Sequence, residues 1–431
     1  MRNVILAGDV LNRLKDVPDG IVQTVVTSPP YYGLRDYGVD GQIGLEETPE
    51  QYISKMVEVF REVRRVLRED GTLWLNIGDS YAAGKIGRDD NSAERRQALD
   101  SFGHGGGVKL QETGNTGVQR KLSPGLKPKD LIGIPWMLAF ALRADGWYLR
   151  QEIIWEKPNP MPESVTDRCT KSHEHIFLLT KQPRYFYDKE AIAEPVSESF
   201  ANDRRHETGS TTNNAKEGYE KGMAQNPKGP HRIFGRHKDN QDKGQKYHIM
   251  HRDRENGEFF PSVQTRNKRD VWTITTKPFP GAHFATFPPE IPELCIKAGS
   301  SQHGECSKCG KPWERVTEKE KSFGSGSGKS GNPISGKNGE SVQGGGDTGD
   351  VRKGPILATV TTGWSPQCEC NAPIVPQIVL DPFGGSGTTA IVARRLGRDF
   401  ITVELNQKYI NGHIKPRLEE TNPLFGSVEV L

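Results

Sequence analysis

The chain has 431 residues, 33% of them hydrophobic, with 48 Gly, 29 Pro and a formal net charge of +3. That is enough for one large domain or two ordinary ones, and so small a net charge excludes a protein basic throughout, leaving any nucleic-acid contact to local patches. The longest apolar run, Trp136 to Leu142, is far below the roughly 20 residues of a membrane span, so no membrane association is expected; with no secretory signal at the N-terminus, a cytoplasmic protein is expected.

Val4-Ile5-Leu6 predicts a first strand, Val10 to Leu14 a short amphipathic helix, and Ile21 to Thr27 a second strand that stops at Ser28-Pro29-Pro30, since proline cannot continue a ladder. The next helix has Thr48 as N-cap, Pro49 at its first position and one apolar stripe from Ile53 through Phe60 to Leu67, and it is expected to end at Asp70-Gly71. Strand Thr72 to Ile77 leads into a glycine-rich, aperiodic stretch, about 83–125, read as a mobile loop. A helix over Lys129 to Ala144 and strands over Tyr148 to Trp155 and His175 to Thr180 resume the alternation. Such alternation predicts an α/β, Rossmann-like, doubly wound, mostly parallel sheet.

From residue 200 to 269 the chain carries 15 Lys and Arg against 9 Asp and Glu. This is either a solvated insertion or a surface that tracks phosphates. Residues 322–353, rich in Gly and Ser, read as a flexible linker. A final βαβα unit follows: strand Ile378 to Leu380, a loop, helix Thr388 to Leu396, strand Phe400 to Glu404 and a helix from Asn406 to about Leu418.

That loop, Asp381-Pro382-Phe383-Gly384-Gly385-Ser386-Gly387-Thr388-Thr389, joins a buried strand to a helix, where glycines let the backbone approach a ligand and the helix start offers free N–H donors. Glu404 ends the following strand, a position from which an acid accepts hydrogen bonds from ribose hydroxyls. The loop alone is ambiguous, because Gly385-x-Gly387-x-x-Ala390 also satisfies a dinucleotide fingerprint. Ser28-Pro29-Pro30-Tyr31 narrows the chemistry. An exocyclic amine on a nucleobase is a poor nucleophile, since its lone pair is delocalised into the ring. Ser28 Oγ and the Pro29 carbonyl can accept from its two N–H groups, the prolines fix their directions, and Tyr31 can stack on the extracted base.

These motifs resemble the N4-cytosine/N6-adenine DNA methyltransferases, in the circularly permuted group whose catalytic motif precedes the cofactor motif. Ser28-Pro29-Pro30-Tyr31 matches the catalytic motif, Phe383-Gly384-Gly385-Ser386-Gly387 the cofactor motif and Glu404 the ribose-binding acid. Gly8-Asp9 matches the short motif that places Asp9 at the cofactor's adenine, and His283-Phe284-Ala285-Thr286-Phe287-Pro288 the segment whose His283, Ala285 and Thr286 line its methionine end. The resemblance implies the S-adenosyl-L-methionine-dependent methyltransferase fold, S-adenosylmethionine as cofactor, double-stranded DNA as partner, base flipping and a bacterial or phage source. A cognate restriction enzyme is an allowed partner, and monomer and homodimer both stay open. Ser at the first motif position favours cytosine N4, with adenine N6 the runner-up; a protein glutamine-amide methyltransferase, a nicotinamide-dependent oxidoreductase and a silent DNA binder are weaker alternatives.

The implied organisation is a catalytic half over 1–190, a basic insertion with target-recognition elements over 191–270, a cofactor-motif segment over 271–300, a zinc-knuckle insertion with its flexible loop over 301–375, and a cofactor-binding half over 376–431. The knuckle rests on Cys306-x-x-Cys309 and Cys368-x-Cys370, two tight pairs that suit a tetrahedral structural zinc. Cys169 and Cys295 are read as small buried hydrophobes, and His173-Glu174-His175 as a strand-start cluster rather than a metal site.

Overall fold

The computed structural model describes residues 1–34, 38–82, 125–195, 250–252, 259–261, 265–277, 287–321, 356–421 and 428–431. The glycine-rich stretch 83–124, most of the basic segment and the trio His283, Ala285 and Thr286 lie outside these. The described residues form two units. The first holds Met1–Ile192, Arg269–Glu314 and Trp364–Leu431; the second holds Ala193–Lys268 and Arg315–Gly363.

The larger unit is organised by strands whose successive side chains face opposite apolar layers. Val25 and Leu73 enter one layer while their neighbours Val26 and Trp74 enter the other, the period of two expected of a sheet covered on both faces. In chain order its elements are β1 (Val4–Ala7), α1 (Val10–Leu14), β2 (Val22–Thr27), α2 (Pro49–Val66), β3 (Leu67–Ile77), α3 (Ile134–Ala144), β4 (Tyr148–Glu156), β5 (His173–Thr180), β6 (Val271–Thr273), α4 (Glu290–Gly299), β7 (Glu305–Cys306), β8 (Ile374–Val375), β9 (Ile378–Asp381), α5 (Thr388–Arg395), β10 (Asp399–Glu404), a helical run from Gln407 to Thr421, and β11 (Glu429–Val430). The nine-stranded sheet runs β6-β4-β5-β3-β2-β9-β10-β1-β11. Within this sheet, among the described pairings, only β5 runs antiparallel to its neighbours. Helices α1, α2 and α3 cover one face through Leu14, Tyr52, Met56, Phe60 and Leu138, while α4, α5 and the closing helix cover the other through Cys295, Val392, Ile410 and Leu418. Each such fully buried apolar side chain contributes on the order of 2 kcal/mol.

Because β9 lies between β2 and β10, and β10 pairs with β1, the final unit of the chain is wedged between two strands of the first 30 residues. Thr27 Oγ1 donates to Asp381 Oδ1 across 2.7 Å, joining the ends of β2 and β9.

Three expectations shift. Helix α2 begins as expected, with Thr48 and Gln51 in a reciprocal capping box and Pro49 in the first turn, but it ends at Val66. Leu67 is extended and pairs with Val22, and the register then jumps so that Thr24 meets Thr72; residues 68–71 therefore bulge within β3 instead of prolonging the helix. Helix α3 starts at Ile134, not Lys129, because Pro135 is tolerated only in a first turn. Asp79 caps that start, accepting from the N–H groups of Gly133 and Ile134 at 3.0 and 3.1 Å. The closing helix contains a π turn over Ile410–Ile414; Pro416 has no N–H to return to the preceding turn, which breaks the regular ladder there. Cys295 is fully buried as read, whereas Cys169 is exposed. No helix among the described residues is long and apolar enough to cross a membrane.

In the smaller unit Glu194–Pro195 pairs antiparallel with Thr265–Arg266 and Met250–Arg252 with Phe259–Pro261, and the strands Trp313–Lys321 and Ile356–Pro366, which lie mostly in it, pair with each other. Glu194 binds Arg266 at 2.9 Å.

Candidate active site

β1, β2, β9 and β10 run parallel, so their C-terminal ends open at one edge, the usual ligand crevice of such a sheet. A cleft occupies it, lined by Asp9, Ser28, Pro29, Pro30, Tyr31, Asp381, Phe383, Gly385, Ser386, Thr388 and Glu404. Every described residue singled out in the sequence for catalysis or cofactor binding therefore lines one cleft, except Gly387, which caps the start of α5. Among those added by the fold are Phe287, Leu405 and Tyr409.

The cofactor side is built on the glycine loop. Gly385 and Gly387 take φ of +53° and +77°, values that L side chains rarely adopt. Gly384 N–H bonds Val403 O at 2.7 Å, Phe383 N–H bonds Asp381 Oδ1 at 3.1 Å, and Gly385 N–H bonds Glu404 Oε2 at 2.7 Å. The other Glu404 oxygen accepts from Asn406 N–H at 2.7 Å. Each carboxylate oxygen has two lone pairs, so one per oxygen stays available to a diol. Burial pushes the Glu404 carboxyl up to about 7 against the two N–H bonds that lower it, and pushes Asp381 up to about 6. Asp9 caps α1, accepting from Asn12 N–H at 3.0 Å, and its cleft-facing position is set by that helix start.

On the catalytic side Tyr52 donates its hydroxyl to Pro30 O at 2.9 Å, fixing the double-proline turn from α2. Among the described residues no donor reaches the Pro29 carbonyl. Ser28 Oγ lies 3.4 Å from Tyr31 Oη, which donates to Glu174 Oε2 at 2.6 Å and accepts from Asn76 Nδ2 at 3.1 Å. Asn76 also donates to Glu174 at 3.0 Å, and Lys157 Nζ is ion-paired with the other Glu174 oxygen. Burial and then the neighbouring Glu174 charge hold the Tyr31 phenol well above its ordinary value. Burial alone would raise Glu174, but the Lys157 charge and the hydrogen bonds from Lys157, Tyr31 and Asn76 outweigh it, and its carboxyl lies below the usual range.

Asn76, Lys157 and Glu174 are functional candidates that the sequence reading missed. Glu174 stands in the very cluster read there as a strand-start feature. Asn76 did offer a signal: it is a buried amide inside the apolar strand Leu73-Trp74-Leu75-Asn76-Ile77, 3% exposed, and such a group needs a polar partner. Trp272 packs against Trp74 in the core with the rings tilted and 6.3 Å between their centres, and Asp79 serves as a helix cap. The four cysteines lie elsewhere in the same unit, all their sulfurs within 4.8 Å of one another.

A family model described as DNA methylase, of the N6/N4 type, matches residues 22–305 and 374–415. The Type II methyltransferase M.SmaI of Serratia marcescens is 34% identical over 407 residues, covering 94% of this chain and 87% of its own length. The Type II methyltransferase M.Cfr9I of Citrobacter freundii is 34% identical over 410 residues, covering 94% and 85%. The solved cytosine-N4-specific PvuII DNA methyltransferase aligns over 99% of this chain and 93% of its own with a TM-score of 0.46 and 12% identity, too distant a likeness to carry chemistry across. With a cleft that gathers both motifs and sequence identity sustained over nearly its whole length, the chain belongs to the N6/N4 DNA methylase family.

Proposed function

We propose that this S-adenosylmethionine-dependent DNA methyltransferase methylates N4 of cytosine in double-stranded DNA, as the modification half of a restriction system, on a base turned out into the cleft. The observation that supports this most is the single cleft holding both the neutral Ser28 turn and the Glu404 glycine loop. A Ser in place of the Asp or Asn commoner in adenine-directed relatives favours cytosine N4. The cleft fits the cofactor: Glu404 keeps acceptor sites for a ribose diol, Asp9 supplies an acceptor for an adenine amine, and Phe383 and Leu405 supply apolar wall. The order of the segments, with β9 and β10 inserted beside β1 and β2, supports the circularly permuted arrangement.

When bound, S-adenosylmethionine supplies an electrophilic methyl group. The protein's task is to present a nitrogen lone pair. Ser28 donates a hydrogen bond to Tyr31 Oη and Tyr31 donates one to Glu174, each keeping its own proton, so the Ser28 lone pairs are left to face the cleft as an acceptor. That oxygen and the Pro29 carbonyl hold the two N–H groups of the base amine and favour a pyramidal nitrogen. Ser28 stays neutral, so the proton released on transfer leaves to water. Glu174, paired with Lys157 and below its ordinary pKa, is a weak base; it positions Tyr31 and, through it, Ser28.

Incubation with unmethylated DNA and S-adenosylmethionine, digestion to nucleosides and mass analysis tests the assignment: N4-methylcytosine is expected, and N6-methyladenine overturns it. Glu174→Gln keeps the shape but not the charge; kcat should fall about tenfold, the size of one hydrogen bond's net worth, with cofactor Kd unchanged. A fall in cofactor affinity instead would mean a general structural role.

Cofactor binding should also depend on pH. Ribose hydroxyls donate to the carboxylate form of Glu404, whose pKa is about 7. Affinity is then constant above that value and weakens as pH falls through it, approaching tenfold per unit. Calorimetric Kd values between pH 5 and 9 check this, and Glu404→Gln should flatten the profile.

A further inference from the structure

We propose that Cys306, Cys309, Cys368 and Cys370 bind a structural zinc ion that closes the chain at the foot of the segment between them, on the opposite edge of the sheet from the active site. Their sulfurs lie within 4.8 Å of one another. A tetrahedral site with zinc–sulfur bonds of about 2.3 Å needs sulfurs about 3.8 Å apart, so a small contraction completes it. Two disulfides would pair the sulfurs and separate the pairs, whereas here all four converge on one point.

The backbone around them is built for a metal knuckle. The Cys306 sulfur accepts N–H bonds from Lys308 and Cys309, and the Cys368 sulfur one from Cys370; such bonds stabilise thiolates. Gly310 N–H returns to Cys306 O at 2.8 Å, with Gly310 at φ +68°. A side chain there would collide with the Arg68 guanidinium. The short pair β7–β8 holds Cys306 opposite Ile374, bringing the two cysteine pairs together.

The knuckle is also tied to the sheet. Glu305, 4% exposed, meets Arg2 and Arg68 at 3.3 Å each, and Gln377 donates to it at 3.4 Å. Arg2 precedes β1, Gln377 precedes β9 and Arg68 lies in the bulge at the start of β3. These are N-terminal strand ends, and the cleft lies at the C-terminal ends. A metal there does not touch substrate or cofactor. It joins residues 309 and 368, between which the strands Trp313–Lys321 and Ile356–Pro366 pair with each other, and a metal that ties residues so far apart in sequence adds to stability. Four thiolates at this spacing suit zinc, whose structural sites are closed tetrahedra of sulfur and nitrogen ligands.

The test uses the full chain, purified without a histidine tag in reducing buffer. Elemental analysis should give one zinc per chain, released by a mercurial thiol reagent in proportion to the thiols modified. Cobalt exchanged into the wild-type protein should show the sulfur-to-metal charge-transfer and ligand-field bands of a tetrahedral tetrathiolate. The stripped protein should melt several degrees lower. Cys309→Ser with Cys370→Ser should lose the metal. Wild-type protein free of zinc, iron in its place, or zinc retained in the double variant would each overturn the proposal, and the wild-type measurements stand even if the variant does not fold.

Discussion

Ser28→Ala is expected to lower kcat about 10²–10³-fold, the loss typical of removing one directed polar group from a reacting centre, while S-adenosylmethionine binds as before. The hydroxyl has two roles that alanine cannot share. It donates toward Tyr31 Oη at 3.4 Å, and its lone pairs are thereby turned to the cleft beside the Pro29 carbonyl. Without it, one amine N–H of the base lacks an acceptor and the nitrogen stays conjugated with the ring. The loop from Asp381 to Thr388 and Glu404, proposed above to hold the cofactor, are untouched. Single-turnover methylation and calorimetry on one preparation separate the two effects. Wild-type turnover would remove Ser28 from the mechanism, and a matching loss of cofactor affinity would show that the substitution disturbs the whole cleft.

Glu404→Ala should weaken cofactor binding about 10²-fold, because the two hydrogen bonds proposed from the ribose to a charged acceptor would be lost at roughly 1.5 kcal/mol or more each. The substitution also strands the N–H groups of Gly385 and Asn406, which the two carboxylate oxygens now accept at 2.7 Å. The loop between β9 and α5 should loosen, so part of the loss will appear as a lower Tm. Glu404→Gln separates these contributions: its amide oxygen can still accept one backbone N–H, and its affinity should fall less and lose its pH dependence. A Glu404→Ala variant that binds the cofactor normally would mean that the ribose lies elsewhere.

The parts of the site that the sequence displayed are contiguous: a strand stopped by Pro29 and Pro30, a glycine loop, an acid at a strand end. Each is a local backbone device with a composition of its own, and their convergence followed once the two chain ends were read as neighbouring strands. Asn76 in β3, Glu174 in β5 and Lys157 just past the end of β4 come from three separate segments, and they meet only because β5 runs antiparallel between β3 and β4, pairing Asn76 with Ile176 and Glu174 with Trp155. Hydrophobic pattern carries no information about strand direction, so Glu174 looked like one of several polar residues at a strand start. The boundary errors have similar causes. Leu67 satisfies the helical stripe and the β3 ladder equally, and the choice is made by Val22 across the sheet. The start of α3 was legible in Pro135, which the apolar run over residues 136–142 concealed.

The insertion of β9 and β10 between β2 and β1 bears on how the protein is made. A ribosome emits β1, β2 and β3 early, but the two strands that must fill the gap between β1 and β2 appear only after more than 370 residues. Until then β2 has an open edge of unpaired N–H and C=O groups, a template for aggregation. Contacts this remote in sequence also slow folding, so nascent chains should depend on holdase chaperones through most of translation and gain protease resistance only after the last sheet strands emerge.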